Sequence, residues 1–392
     1  MKISARPKIV LLVETSRRYG RDLLRGVSSF ARTRTNWSML HQEMTIDSTL
    51  PEWMAKAAPS GVIARVDTHT VDSLRALRVP IVDVMCSRNF PAIPRVETNN
   101  RIVTKMAFEH LWERGFRRFA YCGFRFARYS EMRRDFFREL VEQNDCPLDV
   151  YESPGKPNTL LTSLEESGLV DLQQMYEWLN SLKFPTGIFV CNDIRGQQVL
   201  NACRTLEIAV PDDLAVIGVD DDDAICPLTS PPLSSVNPNA ELVGFRAAEV
   251  LHEMMNGYPT PTSIELVRPS KVISRQSTEV TAVEDREVAR ICRLIRDHAC
   301  EGINVEIVAG FTELSRRQLE RRFRTELGRT LRQEITNVQL NKVKQLLRET
   351  EMTLEQISHL AGYSHKEQLC AVFKREIGQT PSAFRSITPD DD

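Results

Sequence analysis

Two stretches near the carboxyl end of the sequence share one pattern: VEIVAGFTELSRRQLERRF at residues 305–323 and LEQISHLAGYSHKEQLCAVF at residues 354–373. Each predicts a short helix, a turn and a second helix, with a serine before the second helix that can cap it through its side-chain oxygen. In each second helix a leucine and a phenylalanine recur four residues apart, so both share one helix face. The pairs are Leu319 with Phe323 and Leu369 with Phe373. We call the two stretches the first and the second hairpin.

The opposite face of each second helix carries polar and basic residues. Arg can bind guanine through two hydrogen bonds and Gln can bind adenine, so such a face suits the major groove of double-stranded DNA. The candidate DNA-contacting residues are Ser315, Arg316, Arg317, Gln318, Arg321, His365, Lys366 and Gln368. The alternative is an ordinary helical hairpin with a solvated charged face. Two such hairpins about 50 residues apart, joined by a helical segment at Leu331–Arg348, favour DNA binding.

The same region resembles the double helix-turn-helix domain of the AraC/XylS family. The resemblance covers about Asp285–Ile387 and is most specific in FKREIGQTPSAFR at residues 373–385 and in FRTELGRT at residues 323–330. It implies a DNA-binding transcription regulator. The sequence departs from the family pattern at a few positions, which bear on the stiffness of the linking helix. The departures are Glu313 for a common Gly, Leu331 for a common Pro, Gln339 for the usual Arg and Val343 for the usual Ala.

Residues 8 to about 270 alternate short apolar runs with amphipathic stretches at helical spacing. The runs are partly β-branched and bounded by Gly, Pro or Asp, which is typical of parallel strands buried on both faces. The alternation predicts a doubly wound α/β architecture with two lobes, several crossings and a cleft between the lobes. The predicted strands are Ile9–Val13, Gly61–Ala64, Pro80–Val84, Phe119–Gly123, Gly187–Cys191 and Leu214–Val219. The predicted helices are Arg21–Arg32, Arg101–Gly115, Ile194–Leu206 and Glu241–Met255.

This first part resembles the ligand-binding core of LacI/GalR regulators and periplasmic sugar-binding proteins. The resemblance implies a two-lobed, periplasmic-binding-protein-like sensor, with DNA binding moved to the other end of the chain. The matching segments are Lys8–Arg25, Asn99–Gly123, Ser130–Phe137, Gly187–Ala202 and Val210–Asp221 followed by Pro231–Val236.

The resemblance and the strand ends together select five candidate ligand-binding residues: Tyr19, Arg133, Asn192, Asp193 and Asp220. Carboxylates and amides accept or share hydrogen bonds with sugar hydroxyls, and Arg offers a fixed fork of donors. Asn192, Asp193 and Asp220 directly follow predicted strands, and open α/β sheets place ligands at the carboxyl ends of their strands. Arg133 rests on the resemblance alone. Tyr19 is a candidate stacking surface in the loop after the first strand.

Each of these residues also has a structural interpretation. Asp193 can cap the helix that follows it, and Tyr19 can be an ordinary surface residue, as can Arg18 beside it. Another arginine of the Arg-rich stretch around Arg133 can face the ligand instead. The run Asp220–Asp223 can be an acidic solvated loop, and this is the interpretation that we favour for Asp222 and Asp223.

Length and composition limit the class of protein. With 392 residues we predict a ligand-sensing core at 1–270, a linker at 271–284 and a double helix-turn-helix domain at 285–392. Residues 285–388 carry 18 Lys and Arg against 14 Asp and Glu, so a basic tail follows an acidic body, a weak indication of nucleic acid binding.

Nine scattered cysteines without a CxxC pair favour reduced thiols. Neither a signal peptide nor a membrane-spanning segment is predicted, and we expect the cytoplasm.

These observations predict a sugar-responsive, sequence-specific DNA-binding transcription regulator, acting as an activator. The union of such a core with such a tail resembles regulators of sugar operons, which implies D-xylose or a related pentose as effector, a homodimer, and RNA polymerase as the partner of an activator. The alternative is a cytoplasmic sugar-binding receptor whose helical tail binds a protein; the basic helix faces argue against it. Because GxGxxG, GxxxxGK[ST], GxSxG and HExxH are absent, we predict no enzyme, catalytic residue, cofactor or metal site.

Overall fold

The computed structural model of the protein describes residues 6–43, 50–51, 53–84, 90–153, 171–261, 263–279, 283, 285–350 and 352–386. The chain divides into two compact units, Met1–Ala282 and Val283–Asp392, which we call the core unit and the helical unit. The core unit is α/β with largely parallel sheets, and the described part of the helical unit contains helices and turns only. The predicted fold class is thereby confirmed.

The first lobe of the core unit is built on a four-stranded parallel sheet in the order β2, β1, β3, β4. The central strands β1 and β3 are buried almost throughout, which is why they appear in the sequence as uninterrupted apolar runs. The strands are β1 Lys8–Leu12, β2 Ser38–Gln42, β3 Gly61–Ala64 and β4 Ile81–Asp83. The helices of this lobe are α1 Arg18–Arg34, α2 Trp53–Ala57, α3 Val71–Ala76 and, from later in the chain, α9 Ala240–Met255.

The second lobe is built on a six-stranded sheet in the order β12, β10, β9, β8, β6, β7, in which β12 alone is antiparallel to its neighbour. Aromatic side chains of the sheet and of the helices above it fill one side of its core. The strands are β6 Phe119–Phe124, β7 Leu148–Ser153, β8 Thr186–Val190, β9 Leu214–Val219, β10 Ser234–Val236 and β12 Val272–Ile273. The helices are α4 Asn100–Glu113, α5 Arg128–Gln143, α6 Leu172–Ser181, α7 Asp193–Thr205 and α8 Ile225–Leu228.

The chain crosses between the lobes three times, after β5 (Val96–Thr98), after β10 and after β11 (Glu265–Val267). Strands β5 and β11 pair in parallel beside each other. Thr98 Oγ1 donates a hydrogen bond to the carbonyl oxygen of Pro238 at 3.0 Å, which ties the first crossing to the second. Several crossings at one place hold two lobes as a hinged pair with a cleft between them, as the sequence predicted.

Helices α1 and α9 of the first lobe pack with their backbones in contact. A Cβ atom at Gly26 would overlap the carbonyl oxygen of Glu241, and one at Gly244 would overlap the carbonyl oxygen of Leu23. Each helix therefore needs a glycine where the other helix crosses it. This packing connects the segment after β1, which borders the cleft, with the helix that follows the second crossing.

The segment 271–284, predicted as a linker, differs from that prediction in its first half. Strand β12 pairs with β10, and a 3₁₀ turn follows at Gln276–Thr278. Ser277 is buried and its hydroxyl donates to the carbonyl oxygen of Val216 at 2.6 Å. These polar side chains are satisfied by hydrogen bonds to the sheet, so the segment belongs to the core unit without showing apolar periodicity. Residues 280–282 and 284 lie outside the described part of the chain.

In the helical unit the 19-residue helix α13 joins two small cores. Its first half contributes Leu331 to the core around Leu319 and Phe323, and its second half contributes Val343 to the core around Leu369 and Phe373. The linking helix is thus continuous despite the departures from the family pattern. The helices are α10 Arg286–His298, α11 Val305–Gly310, α12 Arg316–Leu327, α13 Leu331–Glu349, α14 Leu354–Leu360, α15 Lys366–Ile377 and α16 Pro381–Ser386.

Candidate functional site

Asp220 lies where β9 ends, at the carboxyl edge of the second sheet. Its backbone has φ 111°, and that of Asp221 has φ 50°, values that residues with a side chain rarely adopt. The turn is held by its amides: Asp220 N donates to the carbonyl oxygen of Val236 at 3.1 Å, and Asp221 N to Ser235 Oγ at 2.9 Å. A backbone fixed in an unfavourable conformation at a strand end is typical of a binding site, because surrounding contacts must enforce it.

Arg133 projects from α5 into the same edge and is almost completely buried. Its Nε donates to Asn100 Oδ1 at 2.8 Å and its Nη1 to the carbonyl oxygen of Cys191 at 2.5 Å. Its guanidinium carbon lies 5.2 Å from the centre of the Tyr129 ring. Cys191 directly follows β8 and Asp220 directly follows the neighbouring strand β9, so these two predicted residues, Arg133 and Asp220, lie at the same carboxyl edge of the sheet.

Asn192 caps helix α7, and its side chain accepts a hydrogen bond from the amide of Arg195 at 2.9 Å. Its amide nitrogen donates to the hydroxyl of Tyr129 at 3.2 Å. Asn192 therefore contributes to the structure of the site's wall, and Tyr129 beside it is half-buried at the same edge.

Asp193 does not cap α7, because the cap residue is Asn192, and the Asp193 carboxylate is buried. One of its oxygens accepts from Ser235 Oγ at 2.7 Å, and the other accepts from the amide of Asp222 at 2.8 Å. Burial raises the pKa of Asp193, and the nearby charge of Asp220 acts in the same direction. Asp193 thus supports the 220–222 turn from beneath.

Tyr19 approaches from the first lobe. Its hydroxyl lies 3.2 Å from Thr98 Oγ1 at the first crossing, and burial raises the pKa of its phenol. The charges of Arg65 and Asp220 both act on it. Tyr19 is therefore not an ordinary surface residue: it lies at the hinge end of the cleft, close to groups of both lobes.

Burial raises the pKa of Asp220, while the guanidinium groups of Arg133, Arg17 and Arg65 act in the opposite direction. Arg17 and Arg65 belong to the first lobe and Arg133 to the second. The pKa of the Asp220 carboxyl is thus influenced by cations of both lobes.

Sequence reasoning missed several polar residues at this site. Glu14 follows β1 and pairs with Arg65, which follows β3, at 3.1 Å between Oε2 and Nη1. Both stand at carboxyl ends of parallel strands, so the rule that found Asp220 would have found them too. Asn100 and Tyr129 carried no comparable signal, because they lie in helices and reach the site through the fold.

The 220–222 turn also contacts the start of α1 across the rim of the cleft. Arg18 Nη1 donates to the carbonyl oxygen of Asp221 and lies 3.4 Å from its carboxylate, and Arg21 Nη2 lies 3.4 Å from the carboxylate of Asp222. Asp222 is buried, which corrects the prediction that it belongs to a solvated loop; Asp223 is exposed, as predicted. We call the contacts of Arg18 and Arg21 with Asp221 and Asp222 the rim bridge.

In the helical unit, Ser315 caps α12 in a reciprocal pair with Gln318. Gln318 Oε1 accepts from the Ser315 amide at 3.0 Å and from its hydroxyl at 2.8 Å. Both predicted DNA-contacting residues thus define the start of the helix. Arg316 pairs with Glu306 at 3.0 Å and Glu320 at 3.2 Å, contacts that leave it exposed at the helix start.

Arg317 and Arg321 lie one turn apart on the outer face of α12, opposite the buried Leu319 and Phe323. Both are exposed, and no ion pair joins either of them to another described residue. Their guanidinium groups are therefore available to an anionic partner.

The second hairpin differs at its turn. The cap residue of α15 is His365, which makes no side-chain cap hydrogen bond, so the predicted serine cap exists only in the first hairpin. Gln368 Oε1 accepts from the amide of Ser364 at 3.3 Å, and Lys366 lies 3.9 Å from Glu355. His365, Lys366 and Gln368 are all exposed on the first turn of the helix.

Among the described residues no His, Cys, Asp and Glu side chains form a group that could hold a metal ion. The eight cysteines in this part of the chain are free thiols. No described helix has the length and apolar composition needed to cross a membrane.

A hinged α/β core with a polar cleft, followed on the same chain by two helix-turn-helix hairpins, defines a ligand-responsive DNA-binding regulator. Residues 108–278 match the periplasmic binding protein-like domain family, and residues 308–387 match a helix-turn-helix domain family.

Comparison of the whole chain gives a narrower assignment. The chain is 32% identical to the xylose operon regulatory protein of Haemophilus influenzae over 387 residues, covering 96% of this chain and 98% of the relative. It is 31% identical to the protein of the same name from Escherichia coli K12, covering 98% of each. The solved structure of the xylose-binding transcription activator xylR matches it with a TM-score of 0.79 and 31% identity, over 97% of this chain and 98% of that one.

The chain belongs to the family of xylose operon regulatory proteins. It is a sugar-responsive, DNA-binding transcription regulator, and the alternative of a receptor with a protein-binding tail is not favoured.

Proposed function

We propose that the protein is an activator whose effector is D-xylose or a related pentose, bound in the cleft of the core unit. The names of the similar proteins support this effector and this sign of regulation. The observation that carries the proposal is that Arg133, bonded to the Cys191 carbonyl at the end of β8, and Asp220, at the end of the neighbouring strand β9, lie at the same carboxyl edge of the second sheet.

Such a set of groups suits a polyol. Each sugar hydroxyl donates one hydrogen bond and accepts others, so it is best held between a carboxylate and a guanidinium. We assign the direct contacts to Asp220 and Arg133, with Tyr19 and Asn192 bordering the site. Asp193 holds the turn that presents Asp220 and acts through it, because both of its carboxylate oxygens are already engaged.

We further propose that the first turns and outer faces of α12 and α15 enter successive major-groove segments of double-stranded DNA, about 34 Å apart. Arg317 and Arg321 are the base- and phosphate-contacting residues that the geometry favours most. Arg316, Lys366, His365 and Gln368 border them, while Ser315 and Gln318 fix the start of α12. A homodimer would cover a long double site, and RNA polymerase would be the partner of the activator in the cytoplasm.

The test of the effector is calorimetry of the full-length protein with a panel of pentoses and hexoses, D-xylose first. One pentose is expected to bind, and Asp220→Asn is expected to weaken its binding about ten- to a hundred-fold, as for loss of a hydrogen bond to a charged group. Asp223→Asn is the matched control, since this exposed carboxylate lies three residues away and is expected to leave binding unchanged.

Two results would contradict the proposal. Absence of binding to every pentose would exclude the effector class. Equal binding by wild type and Asp220→Asn would show that the sugar is held elsewhere. The regulatory link is tested separately by binding to promoter DNA with and without the pentose, where only the sugar-bound protein is expected to occupy its site at low protein concentration.

A further inference from the structure

The two hairpins of the helical unit can be compared position by position, because their second helices begin and pack alike. Leu319 and Phe323 of α12 correspond to Leu369 and Phe373 of α15, all of them fully buried. The cap residues Ser315 and His365 stand at the same distance before these pairs. Positions with equal spacing from the buried pair therefore occupy equal places on the two helices.

The outer face of α12 carries a stripe of three arginines. Arg317, Arg321 and Arg324 are spaced by four and three residues, so they lie above one another on the side away from Leu319. All three are exposed. The whole helix carries five basic and two acidic residues, a net charge of +3.

The equivalent stripe of α15 has a different chemistry. Glu367 corresponds to Arg317, Ala371 to Arg321 and Lys374 to Arg324, and all three are exposed. The net charge of α15 is only +1, from three basic and two acidic residues. The two helices present the same shape to DNA with unlike functional groups.

We infer that Glu367 is a specificity-determining residue that reads cytosine in the DNA segment facing α15. It lies at the second position of its helix, and the amino-terminal residues of the second helix in such hairpins are those that reach base edges. An ionised carboxylate accepts hydrogen bonds and donates none. Cytosine presents its N4 amino group as a donor in the major groove, so it is the base that suits such a side chain. Ala371, one turn further, leaves room for a thymine methyl group.

The same comparison assigns unequal tasks to the two helices. A carboxylate near the phosphates reduces affinity for every sequence, so Glu367 contributes discrimination between sequences. The arginine stripe of α12 supplies attraction to phosphates and the contact to guanine. This inference rests on the proposed DNA-contacting role of the outer faces of α12 and α15.

The experiment is selection of binding sites from a pool of randomised DNA duplexes by the full-length protein, with the pentose present. Wild type, Glu367→Gln and Glu376→Gln are compared. Glu376 is the matched control, because it belongs to the same helix, carries the same charge, and pairs with Arg375 at 2.7 Å in the last turn. Both substitutions are exposed and isosteric, and circular dichroism checks that the helices are retained.

Wild type is expected to enrich a site with cytosine preferred about ten-fold at one position of the half-site facing α15. Glu367→Gln is expected to lose this preference, with the other positions kept, and Glu376→Gln is expected to enrich the wild-type site. Arg317→Ala is expected to reduce the dependence of affinity on salt by about one unit of log–log slope, whereas Glu367→Gln is not.

Identical sites for wild type and Glu367→Gln would overturn the inference while leaving DNA binding in place. Loss of the same preference in Glu376→Gln would also overturn it, since charge and not base contact would then be responsible. A wild-type pool without any enriched site would contradict the proposed DNA-contacting faces themselves.

Discussion

Substitution of Arg18 tests whether the rim bridge holds the two lobes of the core unit together. Arg18 belongs to α1 of the first lobe, and its guanidinium contacts the carboxylate and the carbonyl oxygen of Asp221, 203 positions away in the second lobe. The side chains are 18% and 9% exposed, so the pair lies between a solvated and a fully buried ion pair. We therefore expect a coupling of about 1–2 kcal/mol, above the 0.2–1 kcal/mol of exposed pairs and below the 3–5 kcal/mol lost when a buried pair is broken.

The effect on sugar binding follows from where the pair is made. The bridge joins the two lobes at the rim, so it favours the closed cleft, and in the proposed binding mode a sugar held in the cleft favours the same state. Loss of the bridge is expected to raise the dissociation constant of the pentose about 5- to 30-fold in Arg18→Ala, the factor that corresponds to 1–2 kcal/mol. Arg25→Ala is the matched control, because Arg25 shares the partner Asp22 with Arg18 but does not reach the second lobe.

The assay is a double-mutant cycle by calorimetry with wild type, Arg18→Ala, Asp221→Asn and the double variant. The cycle is needed because Asp221 also pairs with Arg275 at 2.7 Å and accepts from Asn237 Nδ2 at 3.4 Å, so its own substitution affects more than the contact with Arg18. If the effects of the two single variants simply add, the bridge does not couple the lobes and the reasoning fails. The same conclusion would follow if Arg25→Ala weakened sugar binding as much as Arg18→Ala.

Three further predictions concern stability. Gly244→Ala is expected to cost about 1–3 kcal/mol of unfolding free energy in urea, because its Cβ would overlap the carbonyl oxygen of Leu23; an unchanged midpoint would refute the backbone contact. His110 has its pKa lowered to about 3 by burial, helped by the charge of Arg114. Below pH 6.5 the His110 imidazole binds a proton in the unfolded chain but not in the folded one. The free energy of unfolding therefore decreases as the pH is lowered from 6.5 to 3. Wild type is therefore expected to lose about 2 kcal/mol more than His110→Gln between pH 7 and pH 5, and equal losses would contradict this. Ser315→Ala is expected to destabilise the helical unit by about 1 kcal/mol on thermal melting, and His365→Ala, which removes no cap hydrogen bond, is not; equal shifts would refute the cap assignment.

Five of the six strands that the sequence predicted are inner strands of the two sheets, and the sixth, β4, is an edge strand of the first sheet. The strands that it missed include the edge strands β2, β7 and β12. Strand β2 is an edge strand with the sequence SMLHQ, and its residues are alternately half-buried and exposed. Strand β7, with the sequence LDVYES, is an edge strand of the second sheet. An edge strand has fewer neighbours to bury it, so it needs no continuous apolar run. A search for such runs finds only strands covered on both faces.

The site was partly predictable because parallel strands end at one edge of a sheet. That rule selected Asp220 and Asn192 and would also have selected Glu14 and Arg65. It could not show that the carboxylate of Asp193 is directed beneath the turn, because consecutive residues after a strand point in different directions. Nor could it pair Arg18 with Asp221, since a contact between residues 203 positions apart depends on how the lobes close.

The three aspartates that directly follow β9 connect the proposed sugar site with the end of the core unit. The pKa of Asp220 is influenced by arginines of both lobes. Asp221 forms ion pairs with Arg18 of the first lobe and with Arg275. Asp222 accepts a hydrogen bond from the amide of Arg18 at the start of α1. Their backbones are adjacent and conformationally constrained, so a ligand that repositions Asp220 also repositions the carboxylate of Asp221. Arg275 stands between β12 and the 3₁₀ turn, seven residues before the core unit ends. A sugar that favours one arrangement of this turn therefore also favours one arrangement of the segment that leads out of the core unit, and the difference in affinity between arrangements limits the strength of the response.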